Sequence, residues 1–181
     1  MMALVNLLLR CSIAYFLAEV MANKHDPRFA GKAIPLRNLI IVSGLSLIFP
    51  IRYLMRGRRG RYPFVLDNLY LSIFWLDMAG NSFNLYDTHE HFDLIPHFHG
   101  TGALTVVLKA GLGLPTVCAA GLATIVHVLL EIQEYYTDVL FGTHNVRGVA
   151  DTVNDLFAGI VGTLAYGLGS KVVEQQRRRR R

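Results

Sequence analysis

Cysteine is nearly missing from this 181-residue chain. Only Cys11 and Cys118 occur, both inside apolar stretches. That excludes a disulfide framework and a cysteine-based zinc site, and it predicts two buried thiols. Charge is scarce as well: 17% of residues are charged against 52% hydrophobic, and mean hydropathy is +0.36. Such a composition is too apolar for an ordinary soluble domain. No ten-residue alternation of apolar and polar residues runs through the chain, so nothing points to a β-barrel. Neither a Ser-His-Asp or Cys-His constellation nor a phosphate-cradling glycine loop stands at recognisable spacing, which removes support for nucleophilic catalysis by those routes.

What is present is apolar length. Backbone groups in lipid must be satisfied within the segment, so helices are the expected spanning form. Six stretches approach the roughly 20 residues a crossing needs: 1–22, 39–55, 64–86, 99–114, 115–136 and 152–173. The sequence therefore predicts an all-α, polytopic integral membrane bundle of about six helices, one transmembrane domain over 1–181 with a basic tail at 174–181. The first stretch carries Arg10 and Glu19. A signal peptide is its rival reading, opposed by the central arginine and the lack of a small-x-small cleavage site. The second is short and interrupted by Pro50 and Arg52, after a polar connector, 23–37, that holds Pro27, Gly31 and Pro35.

Net charge is +5, but it is unevenly spread. From Asp77 to Asp155 nine acidic residues face two basic ones, Lys109 and Arg147. The basic excess lies at the edges of the apolar segments, so it argues against nucleic acid and for a cation site within a membrane-anchored frame. The arginines at 56–61 and the tail Arg177–Arg181 mark the cytoplasmic side of an inner (plasma) membrane. Four spans separate them, an even number, so the markers agree and the C-terminus is cytoplasmic. Lys24, Arg28, Lys32 and Arg37 then fall outside, against the rule, which raises the question whether the first two segments both cross.

The densest chemistry lies between Asp87 and His99, where four of the seven histidines and three acids sit between apolar stretches. Asp-x-x-x-His-Phe occurs twice, at Asp87/His91/Phe92 and Asp93/His97/Phe98. On a helix each Asp and His stand one turn apart on one face. Three other stripes share that spacing: Asp77, Asn81 and Asn84; His127, Glu131 and Glu134; and Asp151, Asn154 and Asp155. Ionisable groups at membrane depth cost about 2.5–3.5 kcal/mol each on insertion scales, so they face an interior site with partners. Carboxylates with neutral imidazoles suit a divalent Zn, Mn or Fe ion or general acid/base work. The candidate ligands are His91, Asp93, His97, Glu131 and Asp155, with Glu134 as base and Arg147 as an anion holder. Asp87, His99, Asp151, Asp77 and His127 are further candidates. The bland alternatives are that Asp77 pairs with Arg52 or Lys109, that His127 is a packing residue, and that Asp151 and Asp155 cap a helix.

Glu131-Ile-Gln-Glu134-Tyr, then Phe141-Gly142-Thr143, then Asp151-Thr152-x-x-Asp155 and Gly159 to Gly162 resemble bacterial inner-membrane proteins of the YjdF type. Asp93-x-x-x-His97-Phe98-x-Gly100 resembles that family's element before a glycine-rich helix. The likeness covers roughly 64–166 and extends more weakly to VanZ-like membrane proteins through Arg147, Asp151 and Asn154. The Asp87/His91 copy and His99 depart from the pattern. The resemblance implies a membrane bundle with a polar site better than it implies a reaction.

Three functions fit these residues. One is a metal-dependent hydrolase acting on a lipid or lipid-linked substrate near the extracytoplasmic face. The second is a cation or proton transporter or sensor, with Asp77 and His127 as the deeper positions. The third is a non-catalytic structural membrane protein. The apolar inner halves of the last two stretches favour a one-sided site over a transport path. The glycines at 159, 162, 167 and 169 permit close helix contact without specifying an oligomer.

Overall fold

Long runs of leucine, alanine, isoleucine and methionine with few breakers favour helix, and among the described residues every regular element is helical. The computed structural model describes 1–29, Lys32 and 38–179, with only the backbone of Asn38, Leu39 and Arg177. Gly31, Pro35 and Arg37 of the connector and the last two tail arginines lie outside the described residues.

The elements are α1 (Met2–Ala22), a broken segment, α3 (Phe64–Ser82), α4 (Leu94–Leu112), α5 (Thr116–Phe141) and α6 (Val149–Arg179). The broken segment runs through a π-helical turn, Asn38–Val42, and one α-turn, Ser43–Leu45, into α2 (Ile48–Met55). Pro50 falls in the first turn of α2, where its missing N–H costs nothing. Three helices, α1, α5 and α6, are long and apolar enough to cross a membrane. That is half the number expected from the sequence. The shortfall is physical: α2 is only eight residues long, and α3 carries Asp67, Asn68, Asp77 and Asn81 within 19 residues. α4 opens with Pro96, His97 and His99 in its first two turns.

By its contacts the chain divides into two compact units: Met1–Glu90 with Thr137–Asn145, and His91–Tyr136 with Val146–Arg181.

In the first unit α1 and α3 run side by side and parallel. Asn6 and Arg10 meet Asp67 near both N-termini, while Glu19 meets Ser82 near both C-termini. Between them Ile13, Phe16, Leu71, Met78 and Ala79 form a buried core. Parallel neighbours require the intervening chain to return along their length, which is the path of 38–55. The charges that interrupt α1 are both partnered. Arg10 reaches the fully buried Asp67 at 2.6 Å, which also accepts from Asn6 at 2.8 Å and Tyr62 at 2.6 Å. Burial, with Asp67 alongside, pushes the Tyr62 hydroxyl well above its ordinary range, so it stays a donor. Glu19 is held by Arg28 at 3.0 Å and by the Ser82 hydroxyl at 2.6 Å. Arg28 also pairs with Asp26 at 2.9 Å and holds that carboxyl below the usual carboxylate range. Asp138, near the end of α5, accepts from the Thr143 hydroxyl at 2.6 Å and the Asn145 amide at 2.8 Å, which orders the turn after that helix.

In the second unit α4 and α6 are parallel, and α5 runs against both. Phe98 and Gly102 of α4 meet Gly162 and Tyr166 of α6, while Lys109 meets Ser170 and Glu174 further along. The approach is close enough that a Cβ on Gly162 would enter the backbone carbonyl of Phe98. A backbone atom cannot rotate aside, so Gly162→Ala must spread the two helices. Overpacking of this kind costs about 1–3 kcal/mol. The variant is expected to melt several degrees lower in detergent, and an unchanged midpoint would refute the contact.

Several boundaries differ from expectation. α3 stops at Ser82 rather than at 86, because Asn84 turns left-handed (φ 57°) before a single turn at Leu85–Thr88. Asn84 thereby leaves the Asp77/Asn81 stripe. α5 continues to Phe141, and α6 begins at Val149. Cys11 and Cys118 are exposed, not buried.

Candidate metal centre

The second Asp-x-x-x-His copy is the one that folds onto a helix. Asp93 occupies the N-cap of α4 and His97 lies one turn in, so the i,i+4 spacing brings Asp93 Oδ1 to 3.3 Å from His97 Nε2. The first copy does not share this geometry, since His89 is extended and residues 90–93 form turns. His91 is exposed, and it lies outside the donor groups described below. Asp87 belongs to the first unit, where Lys32 pairs with it at 2.9 Å. Asp77, in the same unit, accepts from the Tyr86 hydroxyl at 3.0 Å.

On α5 the same one-turn spacing sets His127 Nε2 3.3 Å from Glu131 Oε1. Both residues are buried. The two helix faces meet at the imidazoles. His97 Nδ1 lies 2.8 Å from His127 Nε2 and 3.4 Å from Glu131 Oε1. The rings are nearly parallel, 26° apart with centroids at 4.9 Å. His127 therefore belongs to the candidate site, although a lone histidine at depth reads more readily as a packing residue. Its position is fixed from behind by α6: a Cβ on Gly159 would collide with the His127 ring, so only glycine leaves room for that imidazole.

The other nitrogen of His97 faces acid. Asp155 of α6, buried to 4% exposure, places Oδ1 3.8 Å from His97 Nε2. That oxygen has no hydrogen-bond partner among the described residues. His97 thus stands between two sets of donors. His97, His127 and Glu131 form one, and Asp93, His97 and Asp155 the other; within each set the donor atoms lie within 4.8 Å of one another.

The first set has the dimensions of a metal site. Ligands bound at about 2.0–2.1 Å stand about 3.3 Å apart in a tetrahedron and about 2.9 Å apart in an octahedron. The observed separations of 2.8, 3.3 and 3.4 Å fall in that range. Two imidazoles and one carboxylate suit Zn, Mn or Fe, and three ligands leave a coordination position open.

The remaining candidates of this unit join neither set. Glu134 is half-buried on α5, one turn beyond Glu131. Asp151, in the first turn of α6, accepts the Arg147 backbone N–H at 3.0 Å and so serves the helix start. The Arg147 residue itself is exposed. His99 Nδ1 lies 2.8 Å from the Tyr166 hydroxyl. Sequence reasoning missed Asp67, the buried acid of the first unit. Its signal was an arginine in one apolar run and an aspartate in another, each needing a partner.

Scanned against protein-family models, curated proteins and solved structures, the chain matches none of them.

Proposed function

We propose that this chain is a polytopic membrane protein of about six spans that holds a divalent metal near its extracytoplasmic face and uses it to hydrolyse a lipid or lipid-linked ester. The observation that carries the reading is the convergence of His97 Nδ1, His127 Nε2 and Glu131 Oε1 at 2.8–3.4 Å from three positions on two helices. The YjdF-like and, more distantly, VanZ-like resemblance of residues 64–166 is consistent with a site at this place and belongs to the same proposal.

The topology is supported by the parallel α1/α3 and α4/α6 pairs, each with an oppositely directed segment between them. With the arginines of 56–61 in the cytoplasm of a cell with an inner membrane, the C-terminus is cytoplasmic and the metal cluster lies toward the outer ends of α4 and α6 and about midway along α5. Two of the four bases on the outside no longer argue against that orientation, because Arg28 pairs with Glu19 and Asp26 while Lys32 pairs with Asp87.

A divalent ion in this position supplies Lewis acidity toward an ester or phosphoryl oxygen. His97, His127 and Glu131 hold and orient it. Glu134, one turn along α5, takes the proton of the attacking water, and Arg147 at the exposed entrance of α6 holds a headgroup phosphate or carboxylate. The exposed apolar faces of α5 and α6, including Ile125, Leu129, Phe157 and Ile160, lie against acyl chains.

The test is hydrolysis of phosphoester and carboxylester lipids in mixed micelles by the Zn- or Mn-loaded protein. Activity should disappear on chelation. Glu134→Gln should lower kcat about 10²–10⁴-fold while leaving bound metal unchanged. A loaded protein that cleaves no substrate of either class would refute the hydrolase reading.

A further inference from the structure

We propose that the centre holds two ions, bridged by the ring of His97. This inference rests on the metal reading above. Its starting point is that His97 is shared: Nδ1 faces His127 and Glu131, while Nε2 faces Asp93 at 3.3 Å and Asp155 at 3.8 Å. Donors on an ion with bonds of about 2.0–2.1 Å range from about 2.9 Å apart for adjacent positions to about 4.2 Å for opposite ones in an octahedron. The two separations from Nε2, 3.3 Å to Asp93 and 3.8 Å to Asp155, fall in that range.

Two further observations point to a ligand there. Asp155 is 4% exposed, and its Oδ1, the oxygen nearest His97 Nε2, has no hydrogen-bond partner among the described residues. A buried carboxylate oxygen left without a donor is costly unless something positive meets it. The charge balance agrees. Asp93, Glu131 and Asp155 surround two imidazoles, so even with both rings protonated the five ionised side chains sum to −1. One dication between Nδ1, His127 and Glu131 compensates Glu131 and leaves the Asp93/Asp155 wall negative. A second dication completes the neutralisation.

Binding on the Nε2 side displaces the last ring proton of His97 to solvent, and the imidazolate then donates one nitrogen to each ion. Asp93 comes from the N-cap of α4 and Asp155 from the second turn of α6. The second ion therefore ties together the parallel pair α4/α6, while the first ties α4 to α5.

The experiment is metal counting on the full-length, detergent-purified protein dialysed against Zn²⁺, with electron paramagnetic resonance on a Cu²⁺-loaded sample. The expected result is two Zn²⁺ per chain and a Cu²⁺ signal diminished by exchange coupling across the ring. Asp155→Asn and Asp93→Asn should each hold one Zn²⁺ and give an uncoupled Cu²⁺ spectrum. One Zn²⁺ per chain with an isolated Cu²⁺ spectrum in the native protein overturns the second ion and leaves the first standing. Two Zn²⁺ retained in an Asp93→Asn/Asp155→Asn double variant also overturns it, since the second ion then lies elsewhere. No Zn²⁺ at all overturns both this inference and the metal reading beneath it. The count and the coupling in the native protein decide the matter without any variant having to fold.

Discussion

Replacing His97 with alanine is expected to empty the centre. His97 is the residue common to both donor sets, so its loss leaves His127 and Glu131 on one side and two carboxylates on the other, with nothing joining them. Even removal of an outer partner of a metal ligand typically lowers affinity 10–100-fold, and loss of a shared ligand should exceed that. Elemental analysis of the purified variant should find metal at background, whereas the native protein should carry bound metal. Folding can be separated from ligation. His97→Asn retains a polar, smaller side chain at the same place and should match the native melting profile of the metal-free protein while remaining unable to bind. Asp87→Asn and His91→Ala provide the contrast. Asp87 is engaged with Lys32 in the first unit, and His91 is exposed in a turn, so both variants should keep their metal. Full retention of metal in His97→Ala would remove the centre from this part of the molecule.

The contrast between the two Asp-x-x-x-His copies shows what local sequence can and cannot reveal. Both copies have the same spacing, and spacing alone gives them equal claims. They are separated by where the helix begins: Asp93 stands at the N-cap position of α4, while the chain just before it is turned. The all-helical character and the pairing of His127 with Glu131 are legible because they depend only on the 3.6-residue period. Asp155 is visible as one acid of the Asp151/Asn154/Asp155 stripe, but its burial beside His97 depends on which face of α6 packs inward. That face is set by Gly159 and Gly162, whose missing Cβ atoms admit the His127 ring and the Phe98 carbonyl. Helix ends are harder to read. Asn84 adopts a left-handed conformation that asparagine tolerates better than most residues, yet nothing in the flanking Phe83 and Leu85 announces it. The Arg10–Asp67 pair spans 57 positions, and only the parallel packing of α1 on α3 joins them.

That pair supplies the second large effect. Arg10→Ala should destabilise the first unit by about 3–5 kcal/mol, the usual result of leaving one buried member of an ion pair uncompensated. The reasoning is asymmetric between the partners. Asp67 is fully buried, whereas the Arg10 side chain keeps 24% of its surface exposed, so the stranded carboxylate is the expensive residue. Asn6 and Tyr62 would still donate to Asp67 Oδ2, but neither carries charge, and Oδ1 already lacks a partner among the described residues. Removing both charges should therefore restore much of what removing one destroys. Arg10→Met combined with Asp67→Leu is expected to unfold close to the native midpoint, or above it, because replacing a buried pair by apolar groups of similar volume is often neutral or stabilising. Denaturation in detergent, followed by helical signal, measures both. The double variant and the native chain should hold the same amount of metal, since every donor of the candidate centre lies in the other unit. Equal, large losses in Arg10→Ala and in the double variant would mean that the pair contributes through specific geometry rather than by mutual neutralisation, and the account of how α1 tolerates an arginine would have to change.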